Sequence, residues 1–279
     1  MAHSVGSISV IVTTYNRSEF LRNCLASIEA QTVPPDEVVV ADDGSDAGHV
    51  ESIEAFIRSS PLNIMHARTG HRGSRSANRN QGVRHASGDY LFFFDGDLVL
   101  FPDVIERHLE AADERRWIVG NTIRLGQEQT TGVSQESIGC TALPQTLGQD
   151  VLDRGLADMA KAARKFRRAS WLSRICPTEG RFRRVRFASG HCSMPREMFE
   201  KVNGFDEAFD RWGWEDQDLG LRLQLAGFRG RCIAERALTL HLHHPPEKVI
   251  DPTVEDVHRA YYRRKRHGEF WCERGLRGS

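Results

Sequence analysis

Short apolar runs that alternate with helical segments constrain the fold of this chain more than any other feature. Residues 8–12 (ISVIV), 38–41 (VVVA) and 90–94 (YLFFF) show no regular alternation with polar residues, which is typical of strands buried on both faces. The intervening sequence predicts helices at 18–31, near 48–59 and near 74–86, and a further strand near 62–66. Strands that alternate with helices in this way predict an α/β fold with a parallel sheet.

The second half of the chain has a less regular pattern. Residues 151–186 predict a basic helical insertion, followed by a strand near 184–188, a turn at 189–191, and helices at 195–202 and 215–227. No linker is long enough to separate two independent domains. The 279 residues therefore fit one large domain, or one domain with an appended subdomain.

The composition excludes several classes of protein. No stretch approaches ~18 consecutive apolar residues, so no membrane span is predicted. The first apolar run is not preceded by a basic region or a small-residue cleavage site, so no secretory signal is expected. The six cysteines form no CxxC pair, which favours reduced thiols in a cytoplasmic protein over a zinc ribbon or a disulfide framework.

The charge is balanced over the whole chain but not locally. With 38 Lys and Arg against 38 Asp and Glu, nucleic acid is not expected as a partner. Residues 1–60 carry three basic and nine acidic side chains, whereas 151–186 carry eleven basic and three acidic ones. Such a basic segment is most often a solvated helical face; the alternative is a lid that binds an anionic glycan, polypeptide or membrane surface. The basic run at 261–266 adds an expectation of peripheral contact with anionic lipid.

Two acidic clusters follow predicted strands, at the sheet edge where parallel α/β proteins bind ligands. In the first, Asp95-Gly96-Asp97, one carboxylate can bind a divalent cation while the other reaches it through water or holds a ribose hydroxyl. Mg²⁺ and Mn²⁺ prefer oxygen ligands and are commonly completed by substrate phosphates. Taken alone, such a motif is as often a solvated turn.

The second cluster, Asp42-Asp43-Gly44-Ser45, is by itself most simply a turn, because these residue types form local hydrogen bonds. The functional alternative is a carboxylate that binds a nucleobase or a ribose hydroxyl. Thr13 and Tyr15 would then line the same crevice, with the tyrosine ring stacked on the base. The placement of both clusters at strand ends favours a nucleotide site.

A loop rich in aromatic and acidic residues indicates a sugar site. Trp212 and Trp214 flank Gly213 and precede three acids at a predicted helix start. The helix dipole favours acids in a first turn but does not explain the tryptophans. An aromatic ring can cover the apolar face of a sugar while a neighbouring carboxylate accepts a hydroxyl proton.

Two alternate histidines, His241 and His243, lie on one face if their segment is extended. A single histidine is more often a core or surface residue. Two of them in a chain that also has a DGD motif predict metal ligands.

Together these motifs resemble the inverting GT-A glycosyltransferases of family 2, joined to a C-terminal half similar to that of the β-1,4-galactosyltransferases. The first resemblance covers roughly residues 7–120, through SVIVTTYNR, VVVADDGSD, RNQG and FFFDGDLVL. The second covers roughly residues 185–245, through FASGHCSMPREMFEKVNGFDEAFDRWGWEDQDLGLRL and LHLHH. The resemblance implies a Rossmann-like, mostly parallel sheet with flanking helices and a C-terminal acceptor- and metal-binding subdomain.

The resemblance also implies a role for each matching residue. It places the nucleotide-sugar at Thr13, Tyr15, Asp43, Arg79 and Asp95. It places a Mn²⁺ or Mg²⁺ ion at Asp97, His243 and His241, and sugar or acceptor contacts at Trp214, Trp212, Glu215 and Gly190. The catalytic pair is Asp216, as the base, and Glu215, which binds acceptor hydroxyls.

The implied reaction is a metal-dependent, inverting sugar transfer from a nucleotide diphosphate, with a UDP-sugar favoured. The acceptor hydroxyl would belong to a glycan, a polypeptide or a small molecule. Four segments are expected: 1–120, the nucleotide-sugar-binding half; 121–186, a basic and partly helical insertion or lid; 187–250, the acceptor-binding and catalytic region; and 251–279, a basic tail.

Two departures and two alternative functions accompany this interpretation. No extra glycines separate Trp214 from the acids, and His191 stands where many relatives have asparagine. A strand followed by DGDLV also resembles the nucleophile loop of haloacid-dehalogenase-type phosphatases, although their acidic metal loop would be expected downstream rather than upstream. The other alternative is a module that binds a nucleotide-sugar without turnover.

Overall fold

A computed structural model describes residues 5–70, 73–138, 147–175, 185–209, 213–245 and 268–278 of the chain. Within this part the protein is a mixed α/β structure built on two sheets. No described helix combines the length and apolar character needed to cross a membrane.

Seven of the described strands form the main sheet, in the order β3-β2-β1-β4-β8-β6-β9. Their bounds are β1 Ile8–Thr14, β2 Glu37–Asp42, β3 Ile64–Arg68, β4 Tyr90–Asp95, β6 Arg116–Val119, β8 His191–Pro195 and β9 Arg229–Cys232. Strands β1 to β4 are mutually parallel, β8 is antiparallel to both β4 and β6, and β9 is parallel to β6. The prediction of a mostly parallel α/β sheet is therefore confirmed.

Helices cover both faces of this sheet. The described helices are α1 Ser18–Glu29, α2 Ala47–Ser59, α3 Arg75–His85, α4 Val104–Ala111, α5 Gln127–Thr131, α6 Gln135–Ile138, α7 Gln149–Ile175, α8 Arg196–Lys201 and α9 Glu215–Leu225. Along β1, Val10 and Val12 pack in one core with α1, whereas Ile11 packs in a second core with Val83 of α3. Side chains of a strand alternate between faces, so the strand must be apolar throughout.

The second sheet connects the DGD motif to the histidine segment. It consists of β5 (Leu98–Leu100), β10 (Leu238–His241) and β7 (Asn121–Arg124), with β10 in the middle. Strand β10 is antiparallel to β5, so that His241 lies opposite Leu98. Just beyond, the Leu242 N–H donates to the Asp97 carbonyl at 2.9 Å. This pairing brings Asp97 close to His244, 147 positions further along the chain.

The long helix α7 packs on the edge of both sheets through a stripe at helical spacing. Leu152 and Met159 join the core around Ile123 of β7, and Phe166 joins the core around Trp117 of β6. Its length agrees with the prediction of a helical, basic segment for the described part of 151–186.

The strand predicted near 184–188 is wrong. The described residues 185–188 are not a strand; the strand is His191–Pro195, within the segment for which a turn and a helix start were predicted. Its sequence, HCSMP, has weak strand propensity, but its first four residues are buried between β4 and β6. Tertiary pairing overrides local propensity here.

Candidate functional site

The ends of β1 and β4 meet at the carboxyl edge of the main sheet. Thr13 and Asp95 lie opposite each other in the register, and Thr13 Oγ1 donates to Asp95 Oδ1 at 3.1 Å. The Gly96 N–H donates to the Thr13 carbonyl at 2.9 Å, which holds the DGD turn against β1. The first aspartate of the motif is thus fixed by the sheet itself.

Asp95 is the centre of a charged cluster. Arg79 Nη2, on α3, donates to Asp95 Oδ1 at 2.8 Å. Burial raises the pKa of Asp95, but the charges of Arg79 and Arg75 outweigh it and hold the pKa below its usual range. The Gly190 carbonyl accepts a hydrogen bond from the Asp95 N–H at 3.1 Å. This close approach requires glycine, because a side chain at position 190 would clash with the Asp95 carboxylate.

Arg79 connects the DGD loop to the acids of α9. Its side chain is 3% exposed, and Nη1 lies 3.9 Å from Glu215 Oε1. Burial and the charge of Asp216 raise the pKa of Glu215, although Arg79 and Arg75 oppose the shift. Nη1 has no hydrogen-bond partner among the described residues. One buried cation therefore serves two motifs that are far apart in the sequence.

The first turn of α9 presents Asp216 beside Trp214. Trp214 precedes the helix with a φ of 71°, in the left-handed region, after Gly213 with a φ of 112°. The Gly213 N–H donates to Glu215 Oε2 at 3.0 Å, and Ser189 Oγ donates to Asp216 Oδ1. Ser189 orients the carboxylate that the resemblance implies as a base.

Trp214 and Asp216 line a cavity of about 650 Å³. The cavity is bounded by α7, the end of β6, the segment 185–188 and the start of α9. Its volume lies within the usual range for small-molecule sites.

Asp97, His241 and His244 form a group that can hold a metal ion, with one ligand atom from each residue within 4.8 Å of the others. Asp97 Oδ2 lies 3.1 Å from His244 Nε2 and 3.8 Å from His241 Nε2. Arg17 Nη1 lies 3.5 Å from the same oxygen. The other oxygen, Asp97 Oδ1, is buried without a hydrogen-bond partner among the described residues. One carboxylate and two imidazoles suit a divalent ion.

His243, predicted as the partner of His241, does not belong to this group. Strand β10 ends at His241, so the alternation on which the prediction depended does not continue. The His243 N–H instead donates to Thr130 Oγ1 at 2.7 Å. His244 takes its place. The sequence HLHH contains His244, but the spacing of its histidines does not show where the strand ends.

The two acids of the DDGS motif differ in their surroundings. Asp42 is fully buried; its Oδ1 accepts from the Ser45 N–H at 2.9 Å and its Oδ2 lies 3.0 Å from His66 Nε2. Asp42 therefore holds the turn. Asp43 accepts the Gly73 N–H at 2.9 Å, and Tyr15 is half-buried beyond the end of β1. Trp212 lies outside the described residues.

Beneath the site, a buried histidine pair was not foreseen from the sequence. At one end, His191 Nδ1 donates to the Asn121 carbonyl (3.3 Å), and His191 Nε2 accepts from His108 Nε2 (3.0 Å). At the other end, His108 Nδ1 accepts from the Ser193 hydroxyl (2.8 Å), which in turn accepts from the Tyr90 hydroxyl (3.2 Å). This assignment gives each ring one donor and one acceptor, as a neutral imidazole requires. Burial lowers the pKa of both rings, that of His191 to about 4.

We expect the free energy of unfolding to fall on acidification below about pH 6.5, the usual histidine pKa. Below that pH the two histidines are protonated in the unfolded chain but stay neutral in the folded one. The stability present at neutral pH is therefore lost as the pH falls towards 4. His191 alone accounts for about 2 kcal/mol between pH 7.5 and pH 5. Urea unfolding should show a smaller loss in His191→Asn and an unchanged loss in a control at the exposed His85, His85→Asn. An undiminished loss in His191→Asn contradicts the expectation.

Family comparisons divide the chain at residue 173. The family described as glycosyl transferase family 2 matches residues 9–173, and the one described as N-terminal domain of galactosyltransferase matches residues 173–245. Both halves of the resemblance read from the motifs are confirmed.

Among curated proteins, the chondroitin synthase of Escherichia coli is 30% identical over 257 residues, covering 88% of this chain and 36% of that protein. The uncharacterized glycosyltransferase YfnE of Bacillus subtilis is 28% identical over 272 residues, covering 87% of this chain and 67% of that protein. The chain thus spans only about a third of the first and two thirds of the second.

Two solved structures share the fold. The mannosyltransferase PcManGT of Pyrobaculum calidifontis, in complex with GDP-Man and Mn²⁺, has a TM-score of 0.61 at 17% identity and covers 95% of this chain and 64% of its own. Residues 1–349 of S. aureus TarS, in complex with UDP, have a TM-score of 0.58 at 18% identity, covering 92% and 64%. The GT-A type of sheet implied by the resemblance is confirmed.

Proposed function

The chain belongs to glycosyl transferase family 2, and on this premise we propose that it transfers a sugar from a nucleotide diphosphate to an acceptor hydroxyl. The observation that carries the proposal is the position of Arg79. Its buried guanidinium contacts Asp95 of the DGD motif at 2.8 Å and approaches Glu215 of the WGWED motif at 3.9 Å. A donor motif and an acceptor motif are thereby joined in one site.

The donor half is assigned to residues 1–120. Thr13, Tyr15 and Asp43 surround the nucleoside, and Asp95 faces the ribose with Arg79 behind it. A UDP-sugar is the favoured donor through the resemblance. The two solved structures of similar fold hold UDP and GDP-Man, so a nucleoside diphosphate agrees with both.

Asp97, His241 and His244 are the proposed ligands of a divalent ion. The unpartnered Asp97 Oδ1 is an observation of this chain that fits a cation, because a buried charged oxygen needs a partner. The two imidazoles favour Mn²⁺ over Mg²⁺, which prefers all-oxygen sites. When bound, such an ion supplies Lewis-acid stabilisation of the charge on the departing diphosphate.

Residues 187–250 hold the acceptor and provide the base. Asp216, oriented by Ser189, takes the proton of the acceptor hydroxyl. The hydroxyl oxygen forms a bond to the anomeric carbon from the face opposite the diphosphate, whose bond to that carbon breaks with its electron pair left on the phosphate oxygen. The configuration is therefore inverted. Glu215 binds neighbouring hydroxyls, and Trp214 covers an apolar face of the sugar.

Of the two alternatives, the haloacid-dehalogenase-type phosphatase is wrong, because the chain belongs to a different family. The non-catalytic module makes a different prediction from a transferase, since it binds donors and releases no nucleotide diphosphate.

A panel of nucleotide-sugars tests the proposal. We expect at least one of the UDP-, GDP- and TDP-sugars to stabilise the protein thermally when Mn²⁺ is present, and to be hydrolysed slowly with release of the nucleoside diphosphate. Thermal shift and product chromatography measure the two effects. Stabilisation without any turnover, in hydrolysis or in transfer, would support the non-catalytic module, and the absence of both would remove the proposal.

A further inference from the structure

The cavity beside Asp216 is lined by cations as well as by the acids of α9. Its described lining includes Lys165 on α7 and Arg186 just before β8. Both side chains are exposed to solvent at the cavity. The acids Glu215 and Asp216 belong to the same lining, and the cation Arg75 lies there with them.

Only one face of α7 borders the cavity. The lining residues Ala162, Lys165, Phe166 and Ala169 are spaced three, four and seven positions apart, which places them on one side of the helix. Phe166 is buried and the two alanines are half-buried, whereas Lys165 is exposed. Lys165 is therefore the cation of α7 that the helix directs to the cavity.

The charges of Lys165 and Arg186 are not neutralised by the described protein. Neither pairs with a described carboxylate, whereas the nearby Arg167 pairs with Glu235 at 2.7 Å. The segment of α7 from 159 to 173 carries five cations and no acid, which raises the positive potential around this wall. A ligand anion can supply the counter-charge that the described residues do not.

We propose that the acceptor carries an anionic group, a carboxylate or a phosphate, which Lys165 and Arg186 bind while its reacting hydroxyl faces Asp216. This inference depends on the proposed function and adds the substrate class of the same site. Glu215 and Asp216 have the cations Arg79 and Arg75 near them, whereas Lys165 and Arg186 pair with no described carboxylate, so an anionic group is favoured at Lys165 and Arg186. The polar lining residues Asn121 and Gln217 are available to its other hydroxyls.

The test uses p-nitrophenyl glycosides in two series, gluco and galacto. Within each series the neutral glycoside, the uronide and the 6-phosphate differ only at C6. The full-length protein is assayed with Mn²⁺ and the donor found in the nucleotide-sugar panel. We expect at least one charged acceptor to have a KM roughly 10- to 100-fold lower than its neutral counterpart. The better of the two charged compounds distinguishes a carboxylate from a phosphate.

Two variants locate the effect. Lys165→Glu with Arg186→Glu should abolish the preference for the charged acceptor, with donor hydrolysis and donor KM unchanged. Arg168→Glu is the matched control, because it reverses an exposed charge on the same helix outside the cavity lining. The inference is overturned if the double variant keeps the preference for the charged acceptor, or if the control loses it to the same extent. It is also overturned if no charged acceptor reacts. A protein that neither binds nor hydrolyses any donor fails at the proposed function instead, and the inference falls with it.

Discussion

Replacement of Asp216 by asparagine should lower the rate of sugar transfer by about 10²–10⁴-fold, the usual contribution of a positioned general base. Asparagine has nearly the same shape and keeps an oxygen that accepts the Ser189 hydrogen bond, but it cannot take the proton of the acceptor hydroxyl. In the proposed site other residues bind the donor, so donor binding should be unchanged. Steady-state transfer rates and calorimetry with the nucleotide-sugar measure the two quantities separately.

A matched control for this variant is Glu197→Gln. It also changes an acid to its amide in the first turn of a helix, α8, but at an exposed position away from the site. Both variants remove a carboxylate that the helix dipole favours in a first turn. If Asp216→Asn transfers sugar as fast as the control, Asp216 is not the base.

Removal of the Asp97 carboxylate should weaken Mn²⁺ binding by about 100-fold or more, since even residues that only support metal ligands contribute 10- to 100-fold. Asp97→Ala deletes the acid shared by His241 and His244, so donor affinity measured with Mn²⁺ should fall to the value measured with a chelator. Isothermal titration with Mn²⁺, with and without the nucleotide-sugar, tests both statements.

The two adjacent histidines provide a sharper comparison. His244→Ala should weaken Mn²⁺ binding, because its Nε2 lies 3.1 Å from Asp97 Oδ2. His243→Ala should leave it unchanged, because only the His243 backbone, which the substitution keeps, bonds to Thr130. The opposite result would return His243 to the metal site and exclude His244.

The strand–helix alternation of residues 8–95 could be predicted because it depends on local pattern. Parallel strands buried on both faces must be apolar throughout, and a run such as ISVIV shows this directly. The carboxyl ends of these strands meet at one edge, so the nearness of Thr13 to Asp95 followed from topology. Arg79 was found only through the resemblance, since nothing in the residues around it indicates a buried ion pair.

The parts that could not be predicted depend on long-range pairing. His191–Pro195 is a strand because β4 and β6 flank it, and neither partner is near in the sequence. The choice between His243 and His244 depends on where β10 leaves its sheet. The pair of His108 and His191 joins residues 83 positions apart through a single hydrogen bond. Such contacts carry no periodic signal along the chain.

The position of β10 between β5 and β7 has a consequence for engineering hybrid enzymes. The strand is anchored on one side by the residues that follow the DGD motif and on the other by those that lead towards α7. A transplanted acceptor region would have to pair in this three-stranded sheet in the same register. A shift by one residue would place a leucine instead of His241 beside Asp97. Chimeras should therefore exchange residues 98–124 and 238–244 together, as one cassette, rather than divide the chain at the family boundary.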